Sequence, residues 1–200
     1  MATPLAQQDL TGKARIRNAA LELYAEHGED GTSMRRTADA AGVTVGLVVH
    51  HFGTKDGLRE AIEEHLVGLF VEAIGSVPEG SDTRAVARER DAAVAAMLAV
   101  NPAVVGYLRR AVLGHSGPRS DLLARLTDLA AQQVARGRRT DPDAPAAGAS
   151  RQAIQVMTRQ LGQLLLQPMI DEMWTHLEGR GASVDDKPVL VVRVEDASAP

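Results

Sequence analysis

The stretch Thr32–Leu58, TSMRRTADAAGVTVGLVVHHFGTKDGL, constrains what this chain can fold into more than any other. Ser33 is an N-cap residue type ahead of a short helical run, Met34 to Ala40, where its hydroxyl would accept from an orphan amide of the first turn. Gly42 follows, and glycine enters the left-handed conformation that ends a helix and turns the chain at the least steric cost. Thr44 is a second N-cap, opening a helix to about His51. Ala38, Val43, Val48 and Phe52 fall where two such helices would face each other, leaving Val45, Gly46, Leu47, Val49 and His50 outward. Two short helices joined steeply by a glycine turn make a helix-turn-helix, whose second helix fits the major groove of DNA.

The rest of the chain reads as helix after helix. A first helix is expected from Asp9 to His27, with Ile16, Ala20, Leu23 and His27 on one stripe. Thr54 caps a helix from Lys55 to Ile74, with Leu58, Ile62, Leu66, Leu69 and Phe70 forming its apolar face. Ser76–Ser81 is a loop. Helices then cover Thr83–Val100 and Ala103–Leu113, and Gly114–Pro118 is a break. Another helix runs from Ser120 or Asp121 to Arg136, with Leu122, Leu126, Leu129, Ala130 and Val134 in register. Gly137–Ala149 reads as a loop, and Ser150–Glu178 as a helix that Pro168 should kink or restart. Val189–Val194, β-branched and preceded by Pro188, reads as extended, although a helical protein offers it no sheet to join. The expectation is an all-α chain: a three-helix helix-turn-helix domain over 9–54, a helical domain over 55–180, and a tail, 181–200, whose conformation the sequence leaves open.

Composition narrows the class. Only 2% of the residues are aromatic against 44% hydrophobic, so the core must be aliphatic and alanine-rich. With no cysteine, disulfides and Cys-based zinc sites are excluded. The first residues lack a basic stretch followed by an apolar one, and no run nears the ~18 apolar residues that span a bilayer. No membrane partner and a cytoplasmic location are therefore expected. The net charge of −4 does not favour a nucleic-acid binder. Its distribution matters more: Lys13, Arg15 and Arg17 sit at the start of the first helix while the acids gather at its far end, and phosphate attraction is short-ranged at physiological salt.

Ser33-Met34-Arg35-Arg36-Thr37-Ala38, Ala41-Gly42-Val43-Thr44, His50-His51-Phe52 and Lys55-Asp56-Gly57-Leu58 together resemble the TetR/AcrR signature. The resemblance extends upstream through Arg15, Ile16, Ala19, Ala20, Leu23 and Gly28, covering about residues 11–65. It implies an all-helical homodimer that represses transcription at a double-stranded, palindromic operator until a small-molecule effector binds the second domain. In that arrangement Val45, Gly46, Leu47, Val49 and His50 face base edges. Thr32, Ser33, Thr44 and Lys55, at helix starts, meet phosphates, with Arg35, Arg36 and His51 beside them. Val45, Leu47 and Val49 depart from the polar residues and tyrosine usual in the family. They can pack on thymine methyls but make none of the bidentate bonds that read guanine or adenine. Candidate effector contacts are Met97, Tyr107, Leu108, Met157, Gln160, Leu161 and Leu164, with an aliphatic ligand favoured by the scarcity of aromatics.

Blander readings stand beside these. Arg35 and Arg36 suit a solvated face, His51 can pack against Phe52, and Met and Leu stripes are ordinarily core. Val45, Leu47 and Val49 also suit a protein partner, giving the alternative of a regulator that works through protein contact with weak or no DNA binding. Enzymatic readings find little support. Gly114-His115-Ser116-Gly117 lacks the spacing of a nucleophile elbow, and Glu172 and His176, four apart on a helix, are explained by an exposed pair. No glycine-rich phosphate loop occurs, so no cofactor and no metal are expected.

Overall fold

A computed structural model describes residues 11–80, 82–113, 120–139, 148–179, 187–188, 190–192 and 194. Among them all regular structure is helical: α1 (Gly12–His27), α2 (Met34–Ala41), α3 (Val45–Phe52), α4 (Lys55–Gly75), α5 (Thr83–Ala99), α6 (Pro102–Leu113), α7 (Leu122–Arg139) and α8 (Ala149–Glu178). The chain divides into two compact units, Met1–Leu122 and Leu123–Pro200. The all-α expectation with an N-terminal helix-turn-helix is borne out. None of these helices alone is long and apolar enough to cross a membrane.

In the first unit α1 is the central strut, packed on α6, α2 and α4. Ile16, Leu58, Ile62 and Leu66 are wholly excluded from solvent, each contributing roughly 2 kcal/mol of transfer free energy. The buried stripe of α1 is Ile16, Ala20, Leu21 and Tyr24, not the expected one ending on His27, which is exposed. Tyr24 takes that place because a large ring one turn from Leu21 buries more surface than the imidazole of His27 would. Gly106 brings α6 close to α1: a Cβ there would stand 3.0 Å from that of Ala25. Arg110 of the same helix donates to the carbonyls of Ala25 at 2.7 Å and Glu26 at 2.5 Å, closing the C-terminal end of α1.

In the second unit Ala130 and Val134 of α7 pack on Ala153 of α8, with Ala149 and Met157 at the edge. Leu126, Leu129, Ala130 and Val134 are buried, as their spacing predicts, and so is Leu122, the last residue of the first unit. Gly137–Arg139 continue α7 where a loop is expected. Of the rest of that loop, Gly148 caps α8 and Ala149 opens it, while 140–147, the break at Gly114–Pro118 and the start of the first helix at Asp9 lie outside the described residues. Pro168 sits within α8, which neither ends nor restarts there.

The described tail residues form neither helix nor strand. Lys187 Nζ pairs with Asp171 at 2.9 Å, and Leu190 N–H donates to Gln167 Oε1 at 3.3 Å. Val192 covers Gly162, and Gln155 Nε2 donates to the Val194 carbonyl at 3.2 Å. These contacts step backwards along sixteen residues of α8, about 24 Å at ~1.5 Å per residue, while the tail advances seven. At the described tail residues Leu190 and Val194, glutamine side chains meet the backbone as a neighbouring strand would.

Candidate nucleic-acid interface

Capping bonds set the module. Ser33 Oγ accepts from Arg36 N at 3.1 Å, Thr44 Oγ1 from Leu47 N at 3.3 Å and Thr54 Oγ1 from Gly57 N at 3.1 Å. Each hydroxyl accepts in its cap and keeps its own proton to donate outward. Gly42, at φ 64 and ψ 40, is left-handed. Val43 N donates to Ala38 O at 3.0 Å and Gly42 N to Asp39 O at 3.2 Å. That pair of bonds is a Schellman motif, which closes α2 and aims α3. Arg15 Nη2 donates to Ala41 O at 2.7 Å, so this member of the basic cluster on α1 serves as a further cap on α2. Ala38 and Val48 are fully buried and Phe52 nearly so, while Val43 is half-buried.

The outward face of α3 is as the spacing predicts except at Leu47, which turns partly towards the start of α1. Val45 is 38% exposed and Val49 47%; Gly46 and His50 are exposed, and Leu47 and His51 half-buried. The rings of His50 and His51 stand 5.3 Å apart and those of His51 and Phe52 6.2 Å, both edge-on. Gly12, at the start of α1, lies against Leu47 and His51, and Lys13 Nζ is 5.9 Å from the centre of the Phe52 ring. The basic end of α1 therefore sits beside α3. Between that end and α4 is a small polar cleft lined by Thr11, Lys13, Ala14, Arg17, Ala61, Glu64 and His65, about 240 Å³ in volume. Burial, and after it Arg17, lower the pKa of His65.

The expected phosphate contacts divide. Ser33, Arg35, Thr44 and Arg36 are exposed and Lys55 half-buried. Thr32 requires correction: it is 2% exposed, and its hydroxyl donates to the carbonyls of Gly28 at 3.0 Å and Leu23 at 3.4 Å. It pins the turn between α1 and α2 and has no surface to offer a phosphate. Arg36 Nη2 lies 2.6 Å from His27 Nε2, which holds that guanidinium against the end of α1. Thr37 is buried with its hydroxyl donating to Ser33 O at 3.3 Å, so the polar atom in this small core is satisfied.

A buried polar cluster behind the head escaped the sequence reading. Glu63, on α4, is completely buried. Its Oε1 accepts from Arg59 Nη1 at 3.3 Å, Tyr107 OH at 3.2 Å and Ser120 Oγ at 2.8 Å. Arg59 also faces Glu29 at 3.8 Å and Asp56 at 4.0 Å. Burial alone would lower the Arg59 guanidinium, but Glu63 and then Glu29 hold it above its ordinary value. Burial, then Glu63, raises the Tyr107 phenol. Glu63 Oε2 and Arg59 Nε have no hydrogen-bond partner. The available signal was positional: Arg59 and Glu63 are four apart and border Leu58, Ile62 and Leu66.

The effector candidates fall in both units. Tyr107 and Leu108 are core residues of the first, and Met97 is half-buried on α5. In the second, Met157 borders the α7–α8 cluster, and Gln160, Leu161 and Leu164 are half-buried on α8. Glu172 and His176 are exposed, and no three potential metal-binding side chains gather among the described residues.

Two capped helices joined through a Schellman glycine, the second with a bare face, define a helix-turn-helix module. Residues 16–62 match the model for bacterial regulatory proteins of the tetR family. Over 56 residues the chain is 54% identical to the HTH-type transcriptional regulatory protein RaaS of Mycobacterium tuberculosis, covering 28% of this chain and 26% of that one. Over 91 residues it is 35% identical to the HTH-type transcriptional repressor KstR2 of Rhodococcus jostii, covering 42% and 43%. The matched stretch thus spans less than half of either relative. A protein of Shewanella sp. PV-4 assigned to the tetR family of transcription regulators shares the fold, with a TM-score of 0.66 and 22% identity over 86% of this chain and 93% of that one. Residues 16–62 thus carry a helix-turn-helix domain of the tetR type, as the sequence resemblance implies.

Proposed function

We propose that the protein is a dimeric, ligand-responsive transcriptional repressor without enzymatic activity, with 9–54 as its DNA-reading head and 55–180 as its regulatory and dimerising part. The observation that carries this reading is the bare outer face of α3 in a module whose cap hydroxyls, Ser33, Thr44 and Thr54, each keep a proton to donate. Arg35 and Lys55 add charge, and a phosphate is gripped by such groups at helix starts.

Dimerisation follows from two considerations. One eight-residue helix reads too few bases, and pairing doubles the site. Leu166, Met169, Met173 and Leu177 are exposed along α8 at spacings of three and four, an apolar stripe that suits a copy of itself. A small molecule bound among the candidate contacts of either unit would shift α4 and lower the fraction of dimers able to span two half-sites.

Titration of DNA by the pure protein in rising salt tests the reading. Affinity should fall linearly in log–log form, and Lys55→Ala should weaken all sequences alike and reduce the slope by about 1. Salt-independent, negligible DNA binding would instead favour the protein-contact alternative, for which the exposed Val45 and Val49 are suited.

A further inference from the structure

The outer face of α3 carries an oddity that folding does not explain. Gly46 is the second residue of α3, where alanine would be the better helix former. Glycine is usually tolerated there because the backbone needs a positive φ or because a neighbour leaves no room. Neither holds: Gly46 is not among the positive-φ glycines, and a Cβ on it would meet only Thr44 Oγ1, at 3.9 Å. Among the described residues nothing requires the side chain to be missing, and Gly46 itself is exposed, so the space it leaves faces outward.

At 100° per residue, Val45 and Val49 lie along one edge of this face, Gly46 in its middle and His50 along the other edge. Val45 and Val49 are exposed β-branched side chains with restricted rotamers and no hydrogen-bonding atom. No arginine, asparagine or glutamine occurs anywhere on α3. In the major groove the apolar feature of a base edge is the C5-methyl of thymine, and the wrong base there is missed as lost contact rather than as an unpaired donor.

Resting on the DNA-reading function above, we propose that this head recognises its half-site chiefly through thymine methyls packed on Val45 and Val49. The gap at Gly46 lets the helix backbone approach the base edges, and His50 donates one hydrogen bond to a purine acceptor. Specificity is then set by methyl groups more than by bidentate hydrogen bonds.

Deoxyuridine removes only the methyl of thymine and leaves every hydrogen-bonding group in place, so it isolates this contact. The full-length protein first selects a duplex from random sequence near physiological salt. Affinity is then measured with each thymine replaced in turn by deoxyuridine. One or two replacements per half-site should weaken binding about fourfold each, the equivalent of roughly one buried methylene. In Val45→Ala or Val49→Ala protein one of those replacements should lose its effect. Gly46→Ala should raise the melting temperature of the free protein while lowering affinity, a combination that a purely structural glycine would not produce. Tight, selective binding indifferent to every deoxyuridine would overturn the methyl-reading inference and leave the repressor reading intact. Failure to select any duplex would overturn both, and the Val45–Val49 edge would then belong to a protein partner.

Discussion

Glu63 shows how much a single buried carboxylate can depend on distant partners. It draws donors from one turn back on its own helix, from α6 and from Ser120, and none would leave it solvated if removed. Breaking a buried pair leaves an uncompensated charge, which costs about 3–5 kcal/mol, whereas replacing both charges with apolar groups is often neutral. Glu63→Ala should therefore lower unfolding stability in urea by several kcal/mol, and Arg59→Met with Glu63→Met should recover most of it. A loss below about 1 kcal/mol for the single variant would remove the cluster from the list of structural anchors. His65 offers a second test. Burial and Arg17 hold its native pKa below the ordinary 6.5, so the unfolded chain takes up a proton first as the solution is acidified. Its stabilising contribution is complete above that value and is lost as pH falls towards the native one. The melting temperature should fall between about pH 7 and pH 5, and more weakly in His65→Gln protein. At this scale legibility is uneven. The caps Ser33, Thr44 and Thr54 were readable because each bonds three residues ahead, within its own turn. Glu63 was not, because Tyr107 is forty-four residues away. Thr32 was misread because a hydroxyl at a helix start looks alike whether it faces a phosphate or the carbonyls of Gly28 and Leu23.

Among the elements, those ended by local chemistry were the easiest to read. Helix α2 stops at Gly42 because its last carbonyls are closed by the Schellman bonds and by Arg15. The α1 stripe was harder, since the spacing that favours His27 differs from the buried one by only a fraction of a turn. The tail was not legible in position. Its β-branched residues favour extended backbone, yet nothing local shows that Gln155 and Gln167 would serve that backbone as a strand would. Gly162 is the seat of this contact: a Cβ there would come within 2.6 Å of Val192 Cγ2, and valine has few rotamers with which to withdraw. Gly162→Ala should therefore free the tail, although alanine favours helix by roughly 1 kcal/mol. Hydrogen exchange at the Leu190 amide reports it directly. Unchanged protection there would mean that Val192 is not anchored at Gly162.

At the scale of the whole molecule, one chain carries both a reading head and an apolar stripe on α8 that suits a second copy. Met173→Asp places a charge in the middle of that stripe, where Met173 is exposed. Sedimentation should show the variant folded but monomeric at concentrations where the parent is dimeric; an unshifted dimer would move the interface elsewhere. The helical class and the head were legible at this scale because periodicity and caps repeat through the chain. The operator and effector were not, since they depend on surfaces completed by other molecules. The most direct test of the central claim is selection of genomic DNA fragments by the purified protein, near physiological salt and without added ligand. The account predicts enrichment of one inverted repeat whose half-sites lie about one helical turn, or a multiple of it, apart. No enrichment from a folded, dimeric protein would contradict it.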